Sequence, residues 1–310
     1  MLVESLNSFG FNPILVIDEK ENVLSRFYEH FSTYLLSKRI TWNTIGHHIA
    51  SKVAVYRPTV AMVFLDVCAG AAMHLHRQGV RTVTFVEDLT VTYHNSLRTD
   101  RRTARQIMEI LSNELKYSEL VVTPSYLLSK LLREEYGLEA STVPIGTKPY
   151  VTIEEAYYRK HDLALHVGQI HDRRQALILS RISQELSELK IDTLAHKAGK
   201  YMHLVKGVKW YRYGSPEEAI PYVKNAFLGI VARYRPAFTL SSLYYHIGLL
   251  QPILVSGEGP WMQEAQMLGI DMIKDKNEID SISLRKQADA AERLAIPKVH
   301  KPLAEALSKL

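Results

Sequence analysis

The chain has 310 residues, 46% of them hydrophobic, a formal net charge of +5 and a single cysteine, Cys68. That size and apolar content fit one large or two ordinary globular domains, and exclude disorder, low complexity and an internal disulfide. No apolar run approaches the roughly 20 residues of a membrane span, and MLVESLNSFGFNP lacks the basic start and apolar core of a signal peptide, so a cytoplasmic protein is expected.

Strand-like runs alternate with helix-like runs along nearly the whole chain. PILVID (13–18), TVAMVFLD (59–66), RTVTFVED (81–88) and ELVVTP (119–124) are short and β-rich. Between them ENVLSRFYEHFSTYLLSKR, CAGAAMHLHRQG and RRTARQIMEILSNELKYS read as helices. SYLLSKLLREEYG follows, with Ser125 as its N-cap and Gly137 as its C-cap, and ASTVPIG supplies another strand. TKPYVTIEEAYYRKH (147–161) is a polar, Tyr-rich connection. A second series opens with DLALHVGQI (162–170), a buried strand ending at Gly168, and the amphipathic helix RQALILSRISQELSELK. IDTLAHKAG, VKWYRYG, AFLGIVARY and PILVSGEG are further strands. SPEEAIPYVKNA starts a helix with Ser215 as N-cap, Pro216 at its first position and Glu217 and Glu218 in its first turn. The terminal SISLRKQADAAERLAIPKVHKPLAEALSKL reads as one helix, a break at Pro297 and a short last helix.

This alternation predicts an α/β fold of two Rossmann-like, doubly wound domains, each with a parallel sheet, facing across a cleft. The expected boundaries are 1–148 for the N-terminal domain, 149–161 for a linker, 162–285 for the second domain and 286–310 for C-terminal helices packing back on the first. The chain opens inside a helical run, so the first strand of the N-terminal domain is expected to be missing, or else the start codon lies upstream. A G-x-G-x-x-G fingerprint is absent, which argues against a simple NAD-dependent dehydrogenase.

Basic residues are dispersed, with RTDRRTAR (98–105) the densest group. The bias suits an anionic ligand or an acidic membrane surface. No basic patch with interleaved aromatics marks a nucleic-acid surface. Ligands of open α/β sheets bind at the carboxyl ends of the strands. There VEDL places Glu87 and Asp88, either of which could take a proton from a hydroxyl nucleophile, or else cap a helix. His94 and Arg98 lie nearby in sequence. In the second domain HVGQIHDRR offers Gly168, Arg173 and Arg174, and YRYGS offers Tyr213 and Gly214 ahead of a helix. ARYRPAFTLSS is the most pointed stretch. Arg233 and Arg235 follow a strand, and Thr239, Ser241 and Ser242 open the next helix. Guanidinium groups, hydroxyls and free backbone N–H groups together suit a diphosphate, although Thr and Ser at a helix start are also ordinary caps. HExxH, CxxC and D-x-D are absent and the two histidines of HLH point apart on a helix, so neither a metal nor a cofactor is expected. GEGPW lacks the lysine of a phosphate loop and reads as a turn.

ELVVTPSYLLSKLLREEYGLEASTVPIGTKP, ALHVGQI and VKWYRYGSPEEAIPYVKNAFLGIVARYRPAFTLSSLYYHIGLLQPILVS together resemble glycosyltransferases of the GT-B fold. The nearest resemblance is to the branch of xanthan-type glucuronosyltransferases and protein O-glycan glucosyltransferases. Ser242, Tyr244, Gly248 and Pro252 fit that branch's K-L-S-L-Y-L-A-A-G-L-P-V-I pattern, and Asp88 fits the Asp of its HDL segment. The pattern's lysine falls on Leu240, its histidine on Glu87, and GLLQP is two residues longer than GLP. The resemblance implies metal-independent transfer of a sugar from a nucleotide-diphosphate sugar to an acceptor hydroxyl on a glycan, lipid-linked or protein acceptor. Gly168, Arg173, Arg233, Arg235, Thr239, Ser241, Ser242, Tyr213, Gly214 and Tyr244 would hold the donor, with Asp88 or Glu87 as the base of an inverting mechanism. The alternatives are a nucleotide-sugar 2-epimerase and a non-catalytic nucleotide-sugar-binding subunit. For the basic C-terminal helices the alternative to packing back is a peripheral membrane contact.

Overall fold

The computed structural model describes residues 2–13, 47, 50–64, 70–86, 115–170, 172–212, 216–233, 240–281 and 283–310. The chain divides into two compact units, Met1–Pro144 with Pro236–Thr239 and His300–Leu310, and Ile145–Arg235 with Leu240–Val299.

In the first unit, α1 (Leu2–Ser8), β1 (Val60–Phe64), α2 (Gly70–Arg77), β2 (Arg81–Phe85), β3 (Leu120–Thr123), α3 (Tyr126–Tyr136) and β4 (Ser141–Thr142) follow in chain order. The four strands form one parallel sheet in the order β1-β2-β3-β4. Alternation along β2 sends Val83 and Phe85 to one face, where Leu6, Val122, Val143, Leu303 and Leu307 join them. On the other side Ala61 and Val63 meet Ala50, Ala71 and Leu75. The helix signals of α3 are realised as read. The Ser125 hydroxyl accepts from Leu128 N–H at 3.0 Å, and Gly137 closes the helix in the left-handed conformation at φ +63°. Of the strand expected at 13–18 only Pro13 is described, and the helical runs beginning at Glu21 and Arg101 fall largely or wholly outside the described residues.

The second unit runs through α4 (Ile153–Tyr157), β5 (Leu163–His166), α5 (Arg173–Glu188), β6 (Asp192–His196), β7 (Val208–Tyr211) and α6 (Pro216–Val223). It continues through β8 (Leu228–Arg233), α7 (Ser241–Gly248), β9 (Ile253–Gly257), α8 (Pro260–Met267), β10 (Met272–Ile273), α9 (Leu284–Arg293) and the start of α10 (Ile296–Leu307). All six strands are parallel, in the order β10-β9-β8-β5-β6-β7. Numbered within the unit and read from β7, this is the doubly wound order 3-2-1-4-5-6. One face packs Ala164, Leu228 and Ile230 against Ala176, Leu179 and Ile182 of α5. The other packs Leu165 and Tyr211 against Ala219 and Val223 of α6 and Tyr245 of α7.

Three local readings change. The polar connection at 147–161 contains a helix, because Thr152 and Glu155 form a reciprocal capping box at the start of α4. β10 adds a short strand that the sequence pattern did not reveal. Pro297 does not break the terminal helix; it sits in the first turn of α10, where its missing N–H has no intrahelical partner to lose. The interruption lies just before it, at Leu294–Ala295. There Thr147 N–H donates to Leu294 O at 2.8 Å and Ile296 N–H donates to Thr147 O at 3.1 Å. A backbone bridge between segments far apart in sequence thus replaces a helix breaker as the cause.

Candidate nucleotide-sugar site

The strand order reverses direction at β5 and β8, so the carboxyl ends of these two strands flank the natural crevice of the second unit. β5 ends at His166 and is followed by Gly168 at φ +111°, a conformation that L side chains rarely adopt. A Cβ on Gly168 would meet nothing within 4 Å, so glycine serves backbone geometry and leaves the strand end open. β8 ends at Arg233, half-buried and close enough to His166 to disfavour its protonation.

The helices entered from these strand ends differ in how they begin. α5 opens on Asp172, whose carboxylate accepts from Gln175 N–H at 2.7 Å. A carboxylate at that helix start disfavours a second anion there, and Arg173 is exposed. The helix after β8 is different. Its N-cap is Leu240, with extended backbone and an apolar side chain that makes no cap hydrogen bond. Ser241 is exposed and Ser242 half-buried at the same turn. α8 also begins without a side-chain cap, at Gly259. Leu240 itself is 4% exposed, which explains why this position carries a leucine where the resembled pattern has lysine: the side chain is core.

The sequence-predicted residues separate accordingly. Gly168, Arg233, Ser241 and Ser242 all lie at the carboxyl ends of β5 and β8 or at the start of the helix that follows β8. Tyr244 is 3% exposed and belongs to the packed side of α7, where its carbonyl accepts from the Thr147 hydroxyl at 2.6 Å. Glu87, Asp88, Tyr213, Gly214, Arg235 and Thr239 lie outside the described residues, as do His94 and Arg98.

Sequence reasoning overlooked the polar core beneath this site. His246, fully buried in α7, presents Nδ1 to Gln251 Oε1 at 2.7 Å, and Gln251 Nε2 donates to Ala226 O at 2.7 Å. The second bond fixes the amide orientation, so Nδ1 carries the proton. Room for the ring comes from Gly229 on β8, whose Cβ would lie 2.6 Å from Nδ1. Gln251 is supplied by the Leu249–Leu250 turn that makes GLLQP longer, with Leu250 at φ +53°. His166 Nδ1 faces Ile230 O at 3.1 Å. The available signal was an isolated polar residue inside an apolar run, in LALH and in YYHIGLLQP.

Burial holds both imidazoles at a pKa of about 4, down from 6.5, against the opposing pull of their hydrogen bonds to Ile230 O and Gln251. The folded chain keeps them neutral, whereas the unfolded chain takes up protons below 6.5. Their contribution is therefore complete above about pH 6.5 and is lost as the pH falls towards 4. The urea midpoint should drop across that interval, and His246→Asn should make the drop shallower whatever its own stability. An unchanged slope would show that the imidazole is not held neutral.

No protein-family model and no curated protein matches the chain. Solved structures do match it. Anabaena Alr3699/HepE, in complex with UDP and glucose, superposes with a TM-score of 0.62 at 12% identity, over 84% of this chain and 81% of that one. A Listeria monocytogenes protein assigned as a UDP-N-acetylglucosamine 2-epimerase gives 0.56 at 12% identity, over 99% and 84%. The pneumococcal O-GlcNAc transferase GtfA, in complex with UDP and GlcNAc, gives 0.58 at 8% identity, over 85% and 59%. At such identities the likeness establishes the fold: two parallel-sheet α/β units of the GT-B architecture.

Proposed function

We propose that the chain is a glycosyltransferase that uses a nucleotide-diphosphate sugar, with UDP as the nucleotide. The observation carrying this is the switch-point crevice of the second unit, where Gly168, Arg233 and the start of α7, with its apolar N-cap Leu240, suit a diphosphate. HepE and GtfA, which share the fold, are complexed with UDP.

In this reading Arg233, Ser241 and Ser242 hold the diphosphate and neutralise the charge it gains as leaving group, so no metal is needed. The acceptor hydroxyl attacks the anomeric carbon, and the bond to the diphosphate breaks with its electron pair on the diphosphate. The hydroxyl proton passes to Asp88 or Glu87 if the reaction inverts. The acceptor is a sugar, lipid-linked glycan or protein hydroxyl.

Thermal shift across UDP-, GDP- and ADP-sugars tests the donor. A ligand at 100 times its Kd stabilises by about 2.7 kcal/mol, so UDP-sugars should raise Tm by several degrees, with or without EDTA. If no nucleotide sugar moves Tm, the reading fails. The superposition on the Listeria protein over 99% of the chain supports a second reading, epimerisation. Conversion of UDP-N-acetylglucosamine without acceptor would favour it; donor hydrolysis or transfer would favour the first.

A further inference from the structure

Away from the donor crevice the second unit carries a groove of about 570 Å³ between its edge strand and α6. That volume falls within the roughly 300–1,000 Å³ common for small-molecule sites. Its floor is apolar: Leu163 and Leu194 project from β5 and β6 on the face covered by α6, and neither is fully buried. One wall is Tyr222 of α6, 63% exposed, an aromatic ring that the core does not use. At the amino end stand the exposed carboxylates Asp162 and Asp192, and Asp192 pairs with Lys209 of β7 at 2.5 Å. Arg212, just past the carboxyl end of β7, completes the other end.

These groups select a chemistry. An aliphatic floor and an exposed aromatic ring suit a ligand with an apolar face. Carboxylates at one end, with Lys209 beside them and Arg212 at the other end, suit hydroxyls, which accept from the cations and donate to the carboxylates. Two carboxylates at one end oppose a phosphate or another strong anion. A long apolar helix would leave the Asp192–Lys209 pair buried without compensation. A pyranose saccharide meets all of these conditions, because each ring has one C–H face and a girdle of hydroxyls. Four residues of β7 span roughly 13 Å, enough for a short oligosaccharide, and Arg212 ends the groove on the same sheet edge as Gly168 and Arg233.

We propose that this groove is a second, non-catalytic site that binds a short pyranose oligosaccharide, stacked on Tyr222 and hydrogen-bonded at Asp192, Lys209 and Arg212. The site stands independently of the donor crevice and holds a glycan with or without nucleotide.

A glycan array of α- and β-linked hexoses, N-acetylhexosamines and uronic acids, probed with the full chain, tests the idea. Its best glycan is then titrated calorimetrically against wild type, Tyr222→Ala and Asp192→Asn, with UDP titrated separately into each. Both side chains are exposed, so folding is expected to survive, and thermal unfolding of each variant checks this. The expected result is glycan binding that weakens at least fivefold in each variant while UDP affinity stays within twofold. No glycan bound by the wild type, or binding equal in all three proteins, overturns the proposal. Glycan binding without UDP binding would keep the groove and sink the transferase reading; UDP binding alone would do the reverse.

Discussion

Arg233→Ala is expected to weaken UDP binding tenfold to a hundredfold in calorimetric titration. A charged hydrogen bond contributes about 1.5–3 kcal/mol, and Arg233 stands at the carboxyl end of β8, whereas α5 begins on the Asp172 carboxylate. Ser242→Ala should add a smaller loss, because one hydroxyl contributes about 0.5–1.5 kcal/mol. Arg181→Ala is the control. It is an exposed arginine of α5 paired with Glu185 one turn on, and its loss should leave UDP affinity unchanged. If the Arg233→Ala, Ser242→Ala double variant bound UDP as the wild type does, the cradle would be misplaced.

Gly248→Ala should produce a large loss of stability. Gly248 ends α7, and a Cβ there would overlap the Lys148 carbonyl oxygen and lie 2.6 Å from the Thr147 hydroxyl. Neither neighbour yields easily. Thr147 donates its hydroxyl to Tyr244 O and its N–H to Leu294 O, and Tyr150 N–H donates to Gly248 O at 2.9 Å. Overpacking of this kind typically costs about 1–3 kcal/mol, and breaking the Thr147 bonds adds to it. The urea midpoint should fall sharply. Donor affinity should fall with it even under native conditions, because any shift of α7 displaces its open start. A variant with wild-type stability would mean that the close approach of Lys148 to α7 is not maintained.

The parallel sheets were legible because their strands are short apolar runs separated by helix and turn signals. PILVSGEG became β9 and AFLGIVARY became β8 for that reason. Ser125 and Gly137 were legible because capping chemistry is local. The reading failed where tertiary contacts decide. Thr147 pairing with Ala295 interrupts the terminal helices just before a proline that looked responsible, and two-residue β10 exists only because β9 is beside it. At the candidate site Gly168 could be named from its place after a strand. The inward direction of Leu240 and Tyr244 could not, since a helix start gives no facing until its partners are known. The His246–Gln251 pair was hidden for the same reason: five residues apart in sequence, they meet only because the Leu249–Leu250 turn folds back.

Leu303 and Leu307 fill the same core as Leu6, Val83 and Phe85, so the first unit is closed by a segment that follows the second unit in the chain. During synthesis β1 to β4 leave the ribosome long before those leucines exist. Until then one face of the nascent sheet has Leu6 of α1 but lacks the cover of Leu303 and Leu307, at the stage when exposed apolar surface and unpaired edges invite aggregation. The second unit has its full sheet once residue 273 has emerged. Of the two units, the one translated earlier is thus completed later, and a chaperone holding the nascent chain would be needed most over β1 to β4.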